Sequence, residues 1–286
     1  MKCCYVIPYV TASQALKATI AHLLGSPDNS VVVIKDQPRP KASDKAQPTP
    51  QPVIEPPAPS HARNGQLHLI ADGTHKGYTR AVNFGVAYGL ETFAPELFCI
   101  LNDDVLFMGE ATPDHRHLPE DAGLVGVLSN RAGYQSLQYS FDEAGDFLYP
   151  ESEPPAAVAQ YGSLVGRLGE KYLPVPLVHG FCFYVRPDVL AAVGGLDEAG
   201  FPGGYGSDFD LSLRVQNAGY RNLVWSGTLV WHYGSRSFGA GQRRIRTIGA
   251  DFVLKQRYGA AYVDAQFKTR NRMIAHTGNL IQFARD

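Results

Sequence analysis

The sequence predicts an α/β domain with a mainly parallel central sheet, and two observations carry that expectation. The chain opens as strand, helix, strand: an apolar run from Cys3 to Ile7, a helical period through Leu16, Ile20, Leu23 and Leu24, then β-branched residues from Val31 to Ile34. The same alternation returns downstream, with compact apolar runs at 67–70, 97–101 and 123–128. In such sheets ligands bind beyond the carboxyl ends of the strands, so residues just after each run become the first candidates for function.

A chain of 286 residues exceeds the usual single domain, but α/β enzymes of this length often form one unit, and one domain with insertions is expected. With 44% hydrophobic and 19% charged residues, it can bury a real core. The formal net charge of -1 excludes a global cationic field, so any affinity for nucleic acid or an anionic membrane must be local. Cys3, Cys4, Cys99 and Cys182 lack the paired spacing of a zinc site or a disulfide framework, which points to reduced thiols and a cytoplasmic setting. No apolar stretch approaches the ~20 residues that span a bilayer. The run after Lys2 contains Pro8 and has no clear cleavage site, so it reads as a first strand rather than a signal sequence.

Between 37 and 64 lie eight prolines, from Pro38 to Pro59, with too few apolar residues for a core; a flexible insertion is expected there. Helices are predicted from Tyr78 to about Leu90 and from Pro187 to Val193, the latter closed by Gly194-Gly195. Residues 177–185 are apolar enough for a strand, and 223–225 and 228–231 read as two final strands. From 133 to 172 periodicity is poor and loops over the active face are expected. Ser207-Asp208-Phe209-Asp210 has the form of a capping box that starts a helix ended by Gly219.

Four constellations carry candidate chemistry. Asn102-Asp103-Asp104 follows a hydrophobic strand, where carboxylates on a short turn can hold a divalent cation and leave room for phosphate oxygens; alone, it reads as well as an ordinary turn. Asp208, reached through the glycine-rich loop 200–206, is placed to take a proton from a hydroxyl, whereas Asp210 suits capping and pairing with Arg214. Two acids complementing a helix dipole explain that pattern equally well. His232 follows an apolar run and can complete a metal site beside a carboxylate. In the run 77–85, Arg80 can reach a base or phosphate and Asn83 a nucleoside.

The order of these pieces resembles the family 2 glycosyltransferases with the GT-A fold. Ile7-Pro8-Tyr9 matches the proline after the family's first strand, Asp36 the acid after the second, and Asn83-Phe84-Gly85 the segment before the metal strand. Asn102-Asp103-Asp104 matches the metal triplet. Val193-Gly194-Gly195-Leu196-Asp197-Glu198, Gly206-Ser207-Asp208-Phe209-Asp210-Leu211, and His232 with Gly234 and Ser237 match the acceptor side, which is the more specific part. Two positions depart from the family: Ser207 stands where many members carry glutamate, and Asn102 replaces an aspartate.

The resemblance implies a GT-A domain over 1–240 and a basic helical extension over 241–286. It implies a nucleoside-diphosphate sugar donor, a glycan or other hydroxyl acceptor, inversion, and a divalent metal, Mn²⁺ or Mg²⁺. Asp208 would be the base, and Asp104 and His232 the metal ligands. Pro8, Asp36, Arg80, Asn83, Asn102, Asp103 and Arg236 would serve the donor, and Gly180, Gly206 and Ser207 the acceptor. The tail, with Arg243, Arg244, Arg246, Lys255 and Arg257 among its cations, reads mainly as solvated helix faces; closing over donor phosphates, or holding an acidic acceptor such as nucleic acid, are the sharper alternatives. A sugar-nucleotide nucleotidyltransferase and a non-catalytic nucleotide- or carbohydrate-binding protein are the rival functions.

Overall fold

The computed structural model describes residues 2–38, 65–114, 117–136, 140–141, 147–148, 172–234 and 240–277. Most of the proline-rich stretch and of the 133–172 region expected to form loops lies outside them, as does Arg236.

The first half follows the apolar runs closely. Strand β1 (Cys3–Tyr9) leads through α1 (Gln14–Leu23) to β2 (Asn29–Lys35), and β3 (Gln66–Ile70) precedes α2 (Tyr78–Phe93) and β4 (Leu97–Leu101). These four strands pair in parallel in the order β3, β2, β1, β4. Alternate residues of β1 enter two cores. Cys4 and Val6 join Val32, Ile34, Phe98 and Ile100 beneath α2; Cys3, Tyr5 and Ile7 join Val31, Val33, Cys99 and the apolar side of α1. Burial on both faces is why these strands are continuous apolar runs rather than alternating ones.

The rest of the sheet corrects the expectation of a mainly parallel one. Strands β5 (Val105–Phe107), β6 (Ala122–Ser129), β9 (Tyr172–Pro174), β10 (Cys182–Val185) and β11 (Arg221–His232) complete it, and β7 (Ser140–Phe141) and β8 (Phe147–Leu148) form a separate pair. β10 enters antiparallel between β4 and β6, and β11 pairs in parallel with β6 but antiparallel with β5 and β9. The sheet is therefore mixed. An apolar run reveals a strand but not its direction, and β10 reaches β4 from far along the chain.

Two further expectations change. The strand predicted over 177–185 is confined to Cys182–Val185, because the chain turns at Gly180-Phe181. The two predicted final strands are one, continued through an irregularity between Trp225 and Leu229.

Helices α3 (Pro187–Val193), α4 (Ser207–Asn217), α5 (Ala240–Tyr258) and α6 (Ala260–Thr277) follow. Leu190, Leu211, Leu254 and Val263 place one residue of each in the core that lies beneath α2. No helix among the described residues is long and apolar enough to cross a membrane. All four cysteines are buried, free thiols.

Helix α2 reaches the sheet closely because two of its residues have no side chain. A Cβ on Gly85 would come within 2.5 Å of Val6 and 2.7 Å of Ile34, and one on Gly89 within 2.8 Å of Cys4 Sγ. Gly249 of α5, by contrast, has nothing within 4 Å of its Cβ position. Gly85→Val is therefore expected to lower unfolding stability by about 1–3 kcal/mol through overpacking. Gly249→Ala is expected to raise it by up to about 1 kcal/mol through helix propensity. Urea unfolding of the two variants checks both signs.

Candidate active site

The site forms where the carboxyl end of β4 meets the start of α4. Beyond Leu101, Asn102 donates its backbone N–H to the Phe181 carbonyl at 2.8 Å, which joins the metal-type triplet to the turn before β10. Asp103 is held in a largely buried position, and burial first, then the neighbouring Asp104 charge, push its carboxyl up to about 6.

His232 ends β11 beside that turn. Asn130, at the end of β6, holds its backbone on both sides: Asn130 Oδ1 accepts from the His232 N–H at 2.6 Å and Nδ2 donates to its carbonyl at 3.2 Å. The imidazole stacks on Phe181, with ring centroids 5.0 Å apart. Its Nδ1 lies 2.9 Å from the Arg131 carbonyl, which can only accept, so the proton sits on Nδ1. In the neutral ring Nε2 is then an acceptor, and it lies 3.3 Å from Asp104 Oδ1. That Asp104 oxygen is buried without a hydrogen-bond partner. Two acceptors facing each other require a shared cation, either a proton or a metal ion, so this pair fits a divalent ion that takes its remaining ligands from phosphate oxygens and water. Among the described residues no group of three or more His, Cys, Asp or Glu gathers to hold a metal.

Asp208 arrives from the opposite side, in the first turn of α4. The expected capping box does not form. Gly206 occupies the N-cap in a left-handed conformation (φ 83°) that favours glycine, and offers no side chain to cap with. Ser207 Oγ donates instead to the Gly204 carbonyl at 2.7 Å. Asp210 is fully buried and accepts from Arg214 Nε at 2.9 Å, Arg257 Nη1 at 2.7 Å and the Tyr258 hydroxyl at 2.7 Å. The expected pairing with Arg214 is present, and α5 supplies the rest. Asp210 thus fixes the helix and leaves Asp208 for the cleft. Asp208 Oδ2 accepts from the Gly180 N–H at 2.8 Å. Burial pushes its carboxyl up to about 6, opposed by N–H groups of Gly180, Phe209 and its own backbone.

One residue joins the two sides. The Tyr78 hydroxyl donates to the Gly180 carbonyl at 3.2 Å. Burial drives its ionisation far out of reach, and the charges of Asp208, Asp103 and Asp104, in that order, add to the effect. The sequence offers no signal that would have singled Tyr78 out, and none for Asn130 or Phe181.

The other expected donor residues make contacts of their own. Asp36 accepts from the backbone N–H groups of Gln37 (2.9 Å), Lys76 (2.6 Å) and Gly77 (3.0 Å), so its carboxylate ties the end of β2 to the start of α2. Asn83 exchanges hydrogen bonds with the Leu196 backbone, at 2.8 and 2.9 Å, and donates to Glu198 at 2.9 Å; its amide holds the 194–198 segment. Pro8 is buried in β1 two residues past Val6, the last residue paired with β4, where a missing N–H interrupts no pairing with that strand. Arg80 is exposed on α2.

No protein-family model matches the sequence, and no curated protein matches it. Among solved structures, the chain is similar to GalNAc-T7, crystallised with UDP, GalNAc and Mn²⁺, at 11% identity and a TM-score of 0.48, over 94% of this chain and 55% of that one. It is also similar to A197 from STIV, at 9% identity and a TM-score of 0.41, over 82% of this chain and 87% of that one. The chain thus spans little more than half the length of the GalNAc-T7 chain. At this distance neither likeness bears on the chemistry of the site.

The raised Asp208 carboxyl has a consequence for stability. A carboxyl whose folded pKa of about 6 exceeds the unfolded 3.8 binds protons more tightly in the folded state. Its contribution is complete below the unfolded value and is lost as pH rises through the folded one. Asp208→Asn should match the wild type near pH 4 and be more stable by about 2 kcal/mol at pH 7.5. Thermal unfolding of both proteins across that range checks the divergence.

Proposed function

We propose that the protein transfers a sugar from a nucleoside-diphosphate sugar to an acceptor hydroxyl, with inversion at the anomeric carbon. The observation that carries this reading is the Gly180-Phe181 turn, where the Gly180 N–H holds Asp208 at 2.8 Å while the next residue, Phe181, accepts from Asn102 and stacks on His232. A lone carboxylate held near neutral pKa stands at a helix start, and a carboxylate–imidazole pair that fits a cation stands at a strand end. These are the two demands of glycosyl transfer: removing a proton from the nucleophile and accommodating charge on the leaving group.

In the proposed reaction the acceptor oxygen bonds to the anomeric carbon as Asp208 takes its proton, and the bond to the nucleoside diphosphate breaks on the opposite face. A carboxyl with pKa about 6 is ionised at pH 7 yet remains a stronger base than a solvated aspartate. Asp104 Oδ1 and His232 Nε2 would hold the divalent cation, which, when bound, would neutralise charge developing on the diphosphate. Asn130 and Phe181 keep the imidazole oriented for that contact. The family 2 resemblance of the sequence, carried chiefly by residues 194–232, supports this assignment. Asp36 and Asn83 contribute to it by shaping the loops around the donor side rather than by direct contact.

Incubation with Mn²⁺, individual nucleotide sugars and simple glycan acceptors should release nucleoside diphosphate and form a product of inverted anomeric configuration, read by proton NMR. Release of pyrophosphate would point to nucleotidyl transfer instead, and binding without turnover to a non-catalytic role. Asp208→Asn is expected to lower kcat by ~10²–10⁴-fold while leaving donor affinity nearly unchanged. Near-normal turnover by that variant would remove Asp208 from the mechanism.

A further inference from the structure

Tyr78 opens α2, and the pieces around it share one geometry. Its hydroxyl donates to the Gly180 carbonyl at 3.2 Å, while the N–H of the same Gly180 donates to Asp208 Oδ2 at 2.8 Å. Gly180 is thus gripped from both sides, by a residue at the start of α2 and by one at the start of α4. The contact is close: a Cβ on Gly180 would lie 3.0 Å from Asp208 Cβ and 3.2 Å from its Cγ and Oδ2.

The tyrosine ring also meets the loop that delivers Asp208. A Cβ on Gly204 would come within 2.7 Å of Tyr78 Cδ1 and 3.0 Å of its Cγ, and the single carbonyl of Gly204 in turn receives both the N–H and the hydroxyl of Ser207. The residue before Tyr78 is fitted as tightly, since a Cβ on Gly77 would lie 2.8 Å from the Pro202 carbonyl. Asp36 holds Gly77 from behind through its N–H at 3.0 Å. A continuous chain of contacts therefore runs from the end of β2, through Asp36, Gly77 and Tyr78, to both flanks of Asp208.

We propose that Tyr78 is a positioning residue that fixes the Asp208 carboxylate by clamping Gly180 through its hydroxyl and the 202–206 loop through its ring. A side chain with this task needs a rigid body of constant shape and a single donor. Tyrosine provides both, and burial, reinforced by the charges of Asp208, Asp103 and Asp104, keeps its hydroxyl protonated, so the donor to the Gly180 carbonyl persists around neutral pH. Fixing a general base to within a fraction of an ångström matters to the rate of proton removal and not to ground-state donor binding. The catalytic consequence rests on the proposed transferase reading; the clamp itself does not.

Tyr78→Phe keeps the ring and deletes the donor, and three measurements on the full chain separate the possibilities. Amide hydrogen exchange at Gly180 should speed up in Tyr78→Phe while the strands keep their protection; unchanged exchange at Gly180 would overturn the clamp. A double-mutant cycle with Asp208→Asn, read by thermal unfolding, should show that the Tm change caused by Tyr78→Phe differs between the two backgrounds. Equal changes would likewise overturn it. Kinetically, Tyr78→Phe should lower kcat about tenfold with donor KM unchanged, and produce no further loss in the Asp208→Asn background. An equal loss in both backgrounds would mean that Tyr78 acts elsewhere. Coupling in exchange and unfolding without turnover of any nucleotide sugar by the wild type would leave the clamp standing and refute the transferase reading.

Discussion

The hydrogen bond from the Gly180 N–H to Asp208 is the contact on which the cleft is built. It brings a carboxylate out of solvent, where burial raises its pKa, and joins the start of α4 to the turn that precedes β10. Glycine suits one side because a Cβ there would lie 3.0 Å from Asp208 Cβ and 3.2 Å from its Oδ2, tight enough that the carboxylate would have to shift. From that turn, Phe181 carries the arrangement onward: its carbonyl accepts from Asn102 and its ring supports His232. One short turn therefore sets the relative positions of the base, the metal-type triplet and the imidazole.

The remaining ionic structure keeps Asp208 available. Its neighbour Asp210 is fully buried, and such a charge would be severely destabilising without partners. Arg214, Arg257 and Tyr258 provide them, and Arg257 reaches on to Asp197 at 2.6 Å in the segment following α3. The C-terminal helices thus have a use that solvated basic faces do not describe. Part of their positive charge neutralises the buried acid behind the cleft, while Lys255 pairs with Asp251 and Asp264 on the surface. Two acids of α4, separated by one residue, consequently divide the work: Asp210 is neutralised to fix the helix, and Asp208 has no ion pair among the described residues.

How much of this the sequence reveals follows from the range of each interaction. Elements defined by local apolar runs, such as β4 and α3, coincide with their expected limits because burial on the sheet faces writes itself directly into residue type. Strand direction is not written there, so the antiparallel entry of β10 and the mixed character of the sheet are not legible in the sequence. The continuous β11 was divided because Ser226-Gly227 interrupts the apolar run without ending the pairing. The capping box does not form because a left-handed Gly206 takes the cap position and Asp210 is bound by Arg214 within α4 and by Arg257 and Tyr258 from a helix far along the chain. Asp104, His232 and Asp208 were legible as acids and an imidazole at element ends. Tyr78 and Asn130 were not, since only the folded chain shows what a tyrosine at a helix start or an asparagine after a strand touches.

The account stands most directly on the state of Asp208. Carbon-13 carboxyl NMR of aspartate-labelled protein, with the resonance assigned by its loss in Asp208→Asn, measures that state without any substrate. A titration midpoint near 6 is the result expected of a carboxylate buried against Gly180 and held as a base. A midpoint near 4, the ordinary value of a solvated aspartate, would contradict it.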